Sequence, residues 1–161
     1  MGLLFDVVGL FLFEDHFDLA TLKNNFDFYE PRTVHESSLS PCIHVIQAAK
    51  LGYQEKAYEL YLRTARLDLD DYNHEVHEGL HITSMAGTWM AVVMGFGGMR
   101  VIDGLLSFAP MLPKQWKGFS FTICFKGAVI KVQVQDQKVD LVLVTGNPIT
   151  VHLFNEKIQL N

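Results

Sequence analysis

From Glu78 to Arg100 the chain reads EGLHITSMAGTWMAVVMGFGGMR. An imidazole, His81, and two hydroxyls, Thr83 and Ser84, precede the small residues Ala86 and Gly87 and an apolar run. Polar donors placed just before a helix start suit an anion, because free N–H groups and the positive end of the helix gather there. Phosphate or a carboxylate fits that chemistry. Each residue also has a plainer reading. His81 can be a half-buried, satisfied histidine, and Thr83-Ser84 a helix cap. Upstream, Arg32 is either an ordinary surface charge or a second anion clamp. The residues alone leave both readings open.

Two more polar clusters precede this one, Tyr29 to Ser38 and Asp70 to Glu78. His77, Glu78 and His81 spell HEGLH, which superficially matches the zinc metalloprotease pattern HExxH. That pattern needs both histidines on one helical face, and Gly79 interrupts it, so no metal site is expected. Gly95-Phe96-Gly97-Gly98 follows a helix instead of a strand and lacks the GxGxxG spacing, so it is no dinucleotide fingerprint. It reads as a tight exit from the helical region. The Trp89 to Met94 stripe reads as core.

These residues need elements to hold them. Leu3 to Leu12 is apolar nearly all round and reads as a buried helix. A long polar and aromatic loop runs from about Asp15 to Ser38. Ser40 is the expected N-cap, with Pro41 at the first helical position and Gly52 closing the helix. Tyr53 to Leu67 is a second such helix, with Ala57, Leu60, Tyr61 and Ala65 on one face. An acidic loop, Asp68 to Glu78, leads to a helix opened by Thr83 or Ser84. After Gly98 the period becomes two. Phe119, Phe121, Ile123 and Phe125 alternate with polar residues, as do Ile130, Val132 and Val134. Lys126-Gly127-Ala128 and Asp136-Gln137-Lys138 read as hairpin turns. Val139–Val144 and Ile149–Phe154 add strands, and Met99–Ile102 and Leu105–Phe108 are further short candidates. Pro110 to Pro113 is the expected linker. The pattern predicts helices followed by an all-β module of six or seven strands.

Composition bounds the partners. The chain has 161 residues, is 49% hydrophobic and 19% charged, and is therefore globular. A net charge of −5 with no polybasic run argues against nucleic acid and against an anionic membrane surface. Met1 to Phe13 lacks a basic n-region and a cleavage site and is shorter than the ~20 residues a spanning helix needs. It reads as a helix from inside a larger core, the tail of a longer protein. Cys42 and Cys124 make no CxxC pair and no metal spacing. They read as two reduced, buried thiols of a cytoplasmic protein.

Glu78 to Trp89, with Gly95 to Arg100 behind it, resembles glycoside hydrolase family 65, the family of maltose, trehalose, kojibiose and nigerose phosphorylases. Phe28-Tyr29-Glu30-Pro31-Arg32-Thr33 with His35 to Pro41 is a second match. Phe108-Ala109-Pro110 to Leu112-Pro113 and Trp116 is a third. The resemblance covers nearly the whole chain in family order. It implies an α + β multidomain chain: terminal helices of an (α/α)6 barrel over residues 1–104, then an antiparallel β-sandwich over 105–161.

The resemblance also implies an inverting phosphorolysis, in which a glutamate protonates the glycosidic oxygen and phosphate attacks the anomeric carbon from the opposite face. Ordinary inverting hydrolases need a second carboxylate to activate water. Phosphate is already nucleophilic, so an anion cradle takes that place. On this resemblance His81, Thr83, Ser84 and the amide of Gly87 bind phosphate, and His35, Ser37, Ser38 and Arg32 stand at the active-site rim. Inorganic phosphate is a substrate, and no cofactor is implied. The partners implied for the full-length enzyme are a disaccharide and phosphate; separately, the exposed faces of a broken barrel are expected to be apolar, so the chain is expected to self-associate as a homo-oligomer. The family's general acid is expected upstream of Met1. Its Lys-Gln sugar-binding pair is replaced here by Gly2-Leu3-Leu4-Phe5, so the chain alone is expected to be inactive. Two alternatives stand beside this one: a fragment of a trehalase-like hydrolase, and a noncatalytic carbohydrate-binding module working through its strands.

Overall fold

In the computed structural model residues 2–35, 38–72, 74–136 and 138–161 are described, with side chains from residue 7 onward. The chain divides into two compact units, Met1–Gly95 and Phe96–Asn161. The break falls ahead of the one expected after residue 104, so Arg100–Ile102 and Leu105–Phe108 pair within the second unit.

The first unit is built round one helix. Helix α3, Ser40–Lys50, buries Cys42, Val45, Ile46, Ala48 and Ala49 on nearly every side. It packs against α1 (Gly2–Leu12), α4 (Gln54–Ala65) and α6 (Ile82–Met90). Gly52, at φ +79°, ends the turn after α3, as its sequence position suggested. Ala57, Leu60 and Thr64 form the buried face of α4, with Tyr61 and Ala65 at its edge. A short helix α5, Leu67–Asp70, ends at Asp71 in the left-handed region.

Several expectations change here. The segment read as one loop from Asp15 to Ser38 contains helix α2, Leu19–Tyr29. Asp18 caps it by accepting the Thr21 amide at 2.7 Å, and Leu22 and Phe26, one turn apart, bury its single apolar edge. Helix α1 is not buried all round: Val7 and Leu10 are covered, Leu12 and Phe13 exposed. Ser40 lies inside α3 and Leu39 takes the capping position. Trp89 is 53% exposed, while Ala91, Val93 and Phe96 after it are buried. Those residues sit on a π-helical turn, Ala91–Phe96, that ends α6. Cys42 is buried as expected, but Cys124 is exposed.

Among its described residues the second unit holds seven strands in two sheets. Strands β3 (Gly118–Phe125), β4 (Ala128–Gln135) and β5 (Lys138–Thr145) form an antiparallel meander. Phe119 faces Val134, Phe121 faces Val132 and Ile123 faces Ile130. Lys126 and Gly127, both at positive φ, close the first hairpin, the geometry that matches the twist of paired strands. The other sheet runs β1 (Arg100–Ile102), β2 (Leu105–Phe108), β6 (Ile149–Leu153) and β7 (Glu156–Leu160), with β2 and β6 parallel. Leu106, Phe108, Val151 and Leu160 from this sheet join Ile130, Val132 and Val134 in one apolar core. At Gly98, φ +59°, an added Cβ would lie 2.3 Å from the Ala109 carbonyl oxygen, so only glycine fits. Among the described residues no helix is long and apolar enough to cross a membrane.

Candidate functional site

Two chain segments far apart in sequence meet at the start of α6. Ser38 and Thr83 share a hydroxyl hydrogen bond of 2.8 Å across 45 residues. Both belong to the set suggested by resemblance, and Thr83 is exposed. His81 occupies the residue just before α6, three-quarters buried, with φ −83° and ψ 80°.

His81 is held from two sides. Asp68 of α5 accepts from its Nδ1 at 2.5 Å with one carboxylate oxygen, and from its backbone N–H at 3.0 Å with the other. Glu75 lies 3.4 Å from Nε2. The Asp68 hydrogen bond, and then the charges of Asp68 and Glu75, raise the His81 pKa above the ordinary imidazole value. The same hydrogen bonds lower the Asp68 carboxyl.

Ser84 and Gly87 face the other way. The Ser84 hydroxyl is buried and donates to the Thr64 carbonyl at 2.7 Å, while its amide donates to the His81 carbonyl. Gly87 is the sixth residue of α6, past the first four whose N–H groups lack intrahelical acceptors. A Cβ there would lie 2.9 Å from Cys42 Cβ, so this glycine lets α6 approach α3. Both residues pack the helix that presents His81 and Thr83.

His35 sits on the first loop but inside it. Its Nδ1 is 2.9 Å from Ser40 Oγ, its ring stands edge-on to His44 at 4.6 Å, and its Nε2 lies 3.8 Å from Glu30. Arg63 of α4 donates to its carbonyl at 2.6 Å. Burial, then the nearby charges of His44, Arg63 and Lys56, push the His35 pKa down to about 4. His35 therefore shapes the loop carrying Ser38 as a neutral ring. Arg32 lies apart from the other named residues. It stacks 4.2 Å above the Phe28 ring and donates to the Phe28 carbonyl. Ser37 lies outside the described residues, as does Glu36.

The HEGLH string does not share one helix. His77 and Glu78 lie on a short 3-10 turn, Gly79 follows at φ +122°, and His81 precedes α6. Among the described residues no group of three or more His, Cys, Asp or Glu is placed to hold a metal. The second unit carries a shallow groove of about 400 Å³ lined by Lys117, Phe119, Ser120, Lys131 and Gln133. Phe119 is the one aromatic among its lining residues, half-buried against the core.

Residue reading did not single out Asp68, Glu75 or Arg63. Asp68 lies in the acidic run LDLDD, 13 residues before His81, and a carboxylate in such a run is usually solvated. Helix α5 turns it back onto the histidine.

Comparison with known proteins gives these positions a context. Residues 5–90 match the model of the glycosyl hydrolase family 65 central catalytic domain, and residues 99–160 that of the family's C-terminal domain. A maltose phosphorylase of Bacillus subtilis is 53% identical over 152 residues, which is 94% of this chain and 20% of the relative. An alpha,alpha-trehalose phosphorylase of Thermoanaerobacter brockii is 50% identical over 151 residues, with the same shares. The solved structure of a putative kojibiose phosphorylase from human microbiome superposes with a TM-score of 0.90 at 39% identity, covering 96% of this chain and 23% of that one. The chain thus spans about a fifth of the length of the curated relatives it matches.

Proposed function

The chain belongs to glycosyl hydrolase family 65, and from that premise we propose that it is the C-terminal portion of an inverting, maltose phosphorylase-like enzyme. The reaction is phosphorolysis of an α-glucosyl disaccharide to β-glucose 1-phosphate and glucose. Phosphate oxygen forms the new bond to the anomeric carbon as the glycosidic bond breaks, and the leaving oxygen takes a proton from a general acid. The observation that carries this reading is the match of two successive family models along the chain, joined to 53% identity with a maltose phosphorylase.

In this reading the segment at the start of α6 is the phosphate side. His81, its pKa raised by the Asp68 hydrogen bond, supplies an N–H donor favoured toward the charged form, and Thr83 with Ser38 supplies hydroxyls at the surface. Ser84 and Gly87 serve by packing the helix beneath them. The general acid lies outside these residues. Glu30 is tied to Lys56 at 3.3 Å, and Glu78 sits on an exposed turn beside His77, neither facing the His81–Thr83 pair through any contact described. Helices α1 to α6 would be the last helices of an (α/α)6 barrel, and the two sheets a β-sandwich. Exposed Ile82, Met85 and Trp89 along α6, with exposed Leu80 just before it, support a face that further chain covers. Unpaired Cys42 and Cys124 fit a cytoplasmic protein, and no cofactor beyond substrate phosphate is called for. The full enzyme would work as a homo-oligomer.

The test has two arms. Purified chain mixed with maltose and phosphate is expected to release no glucose 1-phosphate, and measurable release overturns the assignment of the general acid. Inorganic phosphate titrated into the chain is expected to bind, and His81→Ala to weaken that binding about tenfold or more, the worth of one charged hydrogen bond.

A further inference from the structure

Asp68 is the residue at this site that neither motif nor resemblance named. Its carboxylate makes two hydrogen bonds to one residue, to the Nδ1 and to the backbone amide of His81. The first bond fixes which ring nitrogen carries the proton, because an ionised carboxylate can only accept and the nitrogen facing it must donate. The second fixes the backbone from which the ring swings, at the residue that leads into α6. Together they leave the imidazole one rotamer and commit Nδ1 inward, so that Nε2 is the nitrogen offered to a ligand.

We propose that Asp68 is a positioning residue that sets the orientation, tautomer and charge of His81 for anion binding. This rests on the phosphate-side reading given above. Arg66, the residue just before α5, pairs with Asp70 at 2.6 Å, so that neighbouring carboxylate has its own cation, while Asp68 bonds the histidine. Among the described residues the charged groups facing the His81 ring are Asp68 from α5 and Glu75 from the loop, and both favour imidazolium. Glu75 approaches Nε2 at 3.4 Å, longer than the Asp68 contact, and a phosphate oxygen at Nε2 would take its place. Asp68 then keeps the ring charged while the ligand occupies the other nitrogen, the arrangement in which a carboxylate behind a histidine strengthens it as a donor.

The experiment is a pH titration of the chain labelled with nitrogen-15, reading imidazole Nδ1 and Nε2 shifts, with His81→Gln to assign the resonance. Wild-type His81 is expected to titrate above the ordinary imidazole value and to hold its neutral-form proton on Nδ1. Asp68→Asn is expected to bring the titration down toward the ordinary value and to weaken inorganic phosphate binding about tenfold. Asp68→Glu, which keeps the charge on a longer arm, is expected to restore the raised titration in part. A wild-type His81 that titrates at or below the ordinary imidazole value, or whose neutral proton sits on Nε2, overturns the proposal without any variant. An Asp68→Asn chain with unchanged His81 shifts overturns it too. Absence of phosphate binding by the wild-type chain overturns the phosphate-side reading, while the titration still decides the role of Asp68.

Discussion

Single side chains of one type behave oppositely here, and environment decides which way. His35 and His81 flank the same pair of loops. His81 has carboxylates on both ring nitrogens and gains a proton readily. His35 is buried beside another imidazole, with Arg63 and Lys56 nearby, and resists protonation down to about pH 4. Its folded value is depressed, so the unfolded chain binds a proton that the folded chain refuses between the ordinary value of 6.5 and about 4. Stability is therefore full above that window and falls as pH falls through it. His44, also depressed by burial against the opposing charge of Glu30, adds in the same direction. Urea midpoints are expected to drop between about pH 7 and about pH 4.5. The drop should be smaller in His35→Gln, and an equal drop in that variant would remove His35 as the cause. Sequence named both histidines as candidates. It could not tell them apart, because the deciding neighbours, His44, Arg63 and Asp68, lie a turn or more of chain away.

At the scale of elements, legibility followed how much of an element's own periodicity is apolar. Strands β3 and β4 alternate cleanly and were readable residue by residue, including their hairpin at Lys126-Gly127. Helix α2 was not, since only Leu22 and Phe26 of LATLKNNFDFY are buried and the rest reads as polar loop. The parallel pairing of β2 with β6 joins segments some 45 residues apart, and no local pattern encodes it. Gly87 shows the same limit. The resemblance makes its amide a donor to an anion, and the glycine lies where α6 crosses α3. Alanine is the better helix former by about 1 kcal/mol, but its Cβ would meet Cys42 Cβ at 2.9 Å and Sγ at 3.0 Å. Overpacking of this kind costs about 1–3 kcal/mol and outweighs the propensity gain. Gly87→Ala is expected to lower the urea midpoint, and Cys42→Gly in the same chain to recover part of the loss. A more stable Gly87→Ala would mean that the helices separate freely and that their close approach holds nothing in place.

For the whole molecule, composition already described a globular chain with a net charge of −5 and a change of period near Gly98. It did not say which apolar residues would stay uncovered, because covering is a property of neighbours and not of sequence. Ile82, Met85 and Trp89 follow helical spacing on one side of α6, with Leu80 just before them, and all four are exposed. The opposite side of the same helix buries Ser84 and Gly87. An apolar row of this kind on a surface helix is a contact surface, and in solution the nearest available cover is the same row on a second copy. Two rows meeting face to face would remove a tryptophan, a methionine and aliphatic side chains from water, at roughly 25 cal/mol per Å² buried. The chain is expected to self-associate with rising concentration in sedimentation velocity. Trp89→Glu, which puts a charge in the middle of the row without touching the buried side of α6, is expected to shift the distribution toward monomer. Association that persists undiminished in that variant would place the contact elsewhere, with the exposed Val142 and Val144 of β5 as the next surface to change.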